Sequence, residues 1–116
     1  DGCVLEVSAD GGSTWKQIGE SGSGASFVRG GYTTVIATPP GKKGAELAGQ
    51  SAWTGNGGDA FAEVAVALDP AVYAGAALRV RWRLSTDATG ASAGWWVDTF
   101  GVHAFTPARG TAVLLR

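Results

Sequence analysis

The sequence predicts an all-β domain, a two-sheet antiparallel β-sandwich. Three observations carry this. Residues 78–84, Leu-Arg-Val-Arg-Trp-Arg-Leu, alternate strictly, with Leu78, Val80, Trp82 and Leu84 on one face and Arg79, Arg81 and Arg83 on the other. Side chains on a strand alternate between faces, so this is a strand with one side toward a core and one toward water. Few segments hold a 3.6-residue period for three turns without meeting Gly or Pro. The 19 glycines gather between short apolar runs, as turns do between the strands of a sandwich.

The elements follow in chain order. Cys3, Leu5 and Val7 alternate through a first strand over residues 4–8, and the lone cysteine reads there as a small buried hydrophobe. A second strand covers residues 15–18 and a third residues 33–37. Over residues 62–68, Val64, Val66 and Leu68 point inward and Glu63 outward. Asp69 caps a single helical turn over residues 70–74, with Pro70 at its first position and Gly75 at its end. Residues 95–105 and 111–115 supply the last strands. In the former, Val97 and Phe100 have opposite parity, so an extra residue at Asp98-Thr99, a β-bulge, is expected to bring Val97, Phe100 and Val102 to one face. Residues 19–31, rich in Gly and Ser, read as a loop. So do residues 38–58, with the turn Pro39-Pro40-Gly41-Lys42-Lys43-Gly44, a stretch long enough to be a mobile surface loop or to carry function.

Composition bounds the function. The 116 residues fit one domain, and 45% hydrophobic residues argue against disorder. A net charge of −1 removes the broad electrostatic attraction that non-specific nucleic-acid binding needs. No apolar run reaches the ~18 to 20 residues of a membrane-spanning helix. The start, Asp1-Gly2-Cys3, has neither Met nor a signal segment, and residues 1–116 read as one module excised from a larger protein. The absence of a repeat at 20 to 50 residues argues against a propeller.

A catalytic constellation is hard to assemble, and the chain is expected not to be an enzyme. His103 is the single histidine, and neither G-x-S-x-G nor H-E-x-x-H occurs. Glu6, Glu63 and Asp98 could meet as paired carboxylates for glycoside hydrolysis. Glu63 reads more simply as a partner for the arginine face. That face, Arg79, Arg81 and Arg83, could take an anionic ligand such as a sulfated glycan; the simpler reading is a solvated face balanced by Glu6 and Glu63. Among five tryptophans, Trp53, Trp95 and Trp96 are candidates for stacking sugar rings. Only one of Trp95 and Trp96 can face a core in a regular strand. Trp15 and Trp82 are expected to pack inside.

The sharpest local signal is residues 8–15, Ser-Ala-Asp-Gly-Gly-Ser-Thr-Trp. A strand ends, Asp-Gly-Gly permits positive φ, and a new strand begins, so the stretch is a hairpin in which Asp10 accepts turn amides and Trp15 covers the turn. The string resembles the Asp-box, S-x-D-x-G-x-T-W, matched at Ser8, Asp10, Gly12, Thr14 and Trp15. Asp-boxes recur in sialidase-type propellers and occur singly in jelly rolls such as reelin repeats. A structural turn is the preferred role here.

Residues 94–102, Gly-Trp-Trp-Val-Asp-Thr-Phe-Gly-Val, resemble the G-W-[YW]-[IV]-D-D-V-x-V closing strand of MAM-like and immune-inhibitor-A-like jelly rolls. Residues 47–56 and the stretches 73–75, 78–84 and 86–87 resemble further segments of those modules, in the same order. The resemblance implies a jelly roll, here without the family's first strand. It also implies a non-catalytic accessory module of a secreted or cell-surface bacterial protein, usually a metallopeptidase. Such a module supports the folding, attachment or substrate targeting of neighbouring domains, with protein or polysaccharide as the target. A carbohydrate-binding module using exposed tryptophans is the alternative. Related jelly rolls often hold a structural calcium ion, for which Asp98, Asp59 and Asp87 are the available carboxylates. Thr99 stands where the family carries an acidic residue, and no dense acidic loop is present.

Overall fold

The computed structural model describes residues 1–37, 46–55, 60–86, 94–105 and 112–115, with side chains as far as Ala104. The described residues form strands and one helical turn. In order they are β1 (Gly2–Ser8), β2 (Lys16–Gln17), β3 (Ala25–Arg29), β4 (Thr34–Val35), β5 (Ser51–Ala52), β6 (Ala65–Leu68), α1 (Pro70–Tyr73), β7 (Arg79–Ser85), β8 (Val102–Phe105) and β9 (Ala112–Leu115). They form a three-stranded sheet ordered β2-β1-β7, a four-stranded sheet ordered β3-β6-β9-β8 and a two-stranded β4-β5 ladder. The pairs β1–β2, β3–β6, β4–β5, β6–β9 and β8–β9 are antiparallel. The expectation of an all-β chain is met.

The chain divides into two compact units. The first comprises Asp1–Val4, Tyr32–Phe61 and Trp82–Trp96; the second comprises Leu5–Gly31, Ala62–Arg81 and Val97–Arg116. The boundary falls inside β1 and between Arg81 and Trp82 of β7, so each unit holds its own stretch of both strands.

In the first unit Val4, Ile36, Leu47 and Ala52 form a buried apolar cluster, with Tyr32 and Ala48 packed against it. Gly2 is required beside this cluster, because a Cβ there would collide with the Ile36 side chain. Leu47 lies inside the stretch read as loop, as does β5. Of that stretch, the Pro39–Gly44 turn lies outside the described residues.

In the second unit Ile18, Ala25, Ala65, Val66, Leu68 and Tyr73 are buried. The helical turn forms as the sequence dictates. The Asp69 side chain accepts from the Ala71 amide at 2.9 Å, Pro70 occupies the first turn, and Gly75 follows at φ 71°. The Tyr73 hydroxyl donates to the Ser23 carbonyl.

Four sequence expectations are corrected. Residues 19–31 are not all loop, since β3 runs through them and pairs with β6. The run Ala25-Ser26-Phe27-Val28-Arg29 is too short to show alternation between its flanking glycines. A register shift lies in β3, between Phe27 and Arg29, rather than at Asp98-Thr99. Residues 94–101 form no strand, and β8 begins only at Val102. Within this stretch Thr99 takes a φ of 52°, outside the extended region, so the backbone does not run on as a regular strand through it. Val97, Phe100 and Val102 are about half exposed instead of buried.

The fourth correction concerns β7. Leu84, expected in the core, is 53% exposed, whereas Arg81 and Arg83 are partly buried. Ion pairs and a ring contact hold the arginine side of the strand, so it is not a simple solvated face. All seven residues of β1 are buried, Cys3, Leu5 and Val7 among them.

Candidate functional site

The polar and aromatic side chains that the sequence singles out in the second unit meet where the β1–β2 turn faces the start of β7. Ser8 ends β1. Its hydroxyl donates to Asp10 Oδ1 at 2.7 Å and accepts the Gly12 amide at 2.9 Å. Asp10 Oδ1 accepts the Thr14 amide at 2.9 Å, and Oδ2 accepts the Thr14 hydroxyl at 2.5 Å. Gly11 and Gly12 take φ of 72° and 100°, values a side chain would strain. The Gly11 amide donates to the Ala77 carbonyl at 3.0 Å, which ties the turn to the residues before β7.

The Asp10 carboxyl is held well below the usual carboxylate range, first by the Ser8 hydroxyl and then by the hydroxyl and amide of Thr14. A depressed folded pKa means that the ionised group stabilises the fold above its unfolded value, about 3.9. That contribution is lost as pH falls below this value toward the depressed one. An Asp10→Asn variant is therefore expected to lose stability at neutral pH and to show a shallower fall in Tm below about pH 4. Parallel acid titrations of Tm for the two proteins check this, and identical slopes would contradict the assignment.

Beside the turn lies a second arrangement. Glu6, in β1, is only 5% exposed and accepts from Arg81 Nε at 2.9 Å. The same guanidinium lies over the Trp15 ring, its carbon 4.2 Å from the centroid. Arg79 reaches toward Gly12, where an added Cβ would stand 3.4 Å from its Nη1. Trp15 thus sits against the turn and beneath Arg81.

The remaining charges pair elsewhere. Glu63 pairs with Arg29 at 2.8 Å, not with the arginines of β7. In the first unit Arg83 pairs with Glu46 at 2.5 Å and pulls the Glu46 carboxyl below its ordinary value. Glu46 follows the Lys-Lys-Gly turn in a stretch read as loop, and no alternation marked it as a partner. Pairs this exposed contribute ~0.2 to 1 kcal/mol at most.

Also in the first unit, Trp53 meets Tyr32 edge-on, with centroids 4.8 Å apart and planes at 75°. It meets Trp95 at 5.7 Å and 43°. Tyr32 precedes β4 and belongs to no motif, so sequence reasoning missed it. Trp96 is 63% exposed, while Trp95 is partly buried. Cys3 is buried and exchanges two backbone hydrogen bonds with Trp53, both 2.9 Å; burial pushes its thiol pKa up.

Of the candidate catalytic and metal residues, Glu6, Glu63, Asp98 and His103 lie among the described residues. Glu6 and Glu63 stand against different arginines, and Asp98 and His103 are exposed. Asp59 and Asp87 lie outside the described residues. Among the described residues no three His, Cys, Asp or Glu side chains come together. An open depression borders Glu20, Ser23 and Asp69. Glu20 accepts the Gln17 amide, Ser23 donates to the Ala25 carbonyl and Asp69 caps α1, so each is engaged with the backbone.

Comparison with protein-family models, with curated proteins and with solved structures finds no match for this chain. Among the described residues no helix is long and apolar enough to cross a membrane.

Proposed function

We propose that this chain is a non-catalytic accessory module of a secreted or cell-surface bacterial protein, a peptidase by resemblance, with a jelly-roll sandwich as its architecture. Its role is to support the folding, attachment or substrate targeting of neighbouring domains. The observation supporting this reading is where the reactive side-chain types are engaged. Asp10 is held by Ser8 and Thr14, Glu6 by Arg81, Glu63 by Arg29, and Glu46 by Arg83. A carboxylate already held by a guanidinium or a hydroxyl is poorly placed to take a proton from a substrate.

Assays of the purified chain with chromogenic peptidase, esterase and glycosidase substrates are expected to stay at buffer background. Turnover that falls on Glu6→Gln or His103→Ala substitution would overturn the proposal.

A second reading, a carbohydrate-binding module, is favoured by one observation, the 63% exposure of Trp96 beside the Trp53–Trp95 contact. A sugar ring stacks on an open aromatic face, and Trp96 offers one. Against it, Trp53 and Trp95 are tilted by 43° and partly buried rather than coplanar and open.

A further inference from the structure

We draw no further inference here: the strongest candidate, the exposed apolar run of Val97, Phe100 and Val102 leading into β8 at the edge of the four-stranded sheet, carries nothing because nothing in the structure shows what covers it.

Discussion

Leu47→Ala is expected to cost about 2 to 5 kcal/mol, the largest loss of any single truncation considered. Leu47 is 1% exposed and packs with Val4, Ile36 and Ala52, residues drawn from three separate stretches of the sequence. Removing its isobutyl group forfeits the transfer free energy of the buried carbons. It also leaves a cavity that three separate backbones cannot jointly close. Local anchoring resists collapse further, since Leu47 donates its amide to Ser85 Oγ at 3.4 Å and the Gln50 amide donates to its carbonyl at 3.1 Å. Urea denaturation reads the effect as a lower midpoint at unchanged slope. Leu47→Met, which conserves volume, should cost less than about 1.5 kcal/mol. A loss below about 1 kcal/mol for the alanine variant would show that Leu47 is not a core residue.

Arg81→Ala is expected to cost about 2 to 3 kcal/mol. Truncating one member of a buried ion pair costs ~3 to 5 kcal/mol, because the remaining charge stays in a poorly solvated place. Glu6 is that charge, at 7% side-chain exposure. The Arg81 side chain is 42% exposed, so water reaches the pair and brings the cost below that range. Loss of the guanidinium from the Trp15 ring adds about 0.5 to 1 kcal/mol within that total. Arg81→Lys keeps the charge but not the planar fork or the stacking, so it should fall between wild type and Arg81→Ala. Arg79→Ala, at an exposed position on the same strand, is the control and should stay within about 0.5 kcal/mol of wild type. Equal losses for Arg79→Ala and Arg81→Ala would remove the Glu6–Arg81–Trp15 arrangement from the account.

What the sequence made legible was local. The Asp69-Pro70 start of α1 and the Asp-Gly-Gly hairpin rest on chemistry within a few residues of itself, and both formed as read. The in-and-out assignment of β7 departed from the structure at Arg81, Arg83 and Leu84, because alternation fixes only which residues share a face. It cannot say which face a sheet will cover, and here Glu6 and Trp15, more than sixty positions away in sequence, decide it for Arg81. Residues 94–101 show the converse. Their composition is that of a strand, but Thr99 at φ 52° interrupts the extended backbone. Pattern reasoning located an irregularity at that residue and misjudged its kind. In the candidate site, Ser8, Asp10, Thr14 and Trp15 were marked by one contiguous string, whereas Tyr32 and Glu46 meet their partners only through the fold.

The proposed accessory role is one of folding support, attachment or protein targeting, with no sugar-binding or catalytic site in this chain. Tryptophan fluorescence titrated against a panel of polysaccharides, in calcium and again in chelator, tests it most directly. Trp96 is the exposed reporter, with Trp53 and Trp95 close behind it in sequence or contact. No saturable change is expected in either buffer. Saturable quenching that disappears in Trp96→Ala would contradict it and establish a sugar-binding module, and quenching lost in chelator would make a metal ion part of that site.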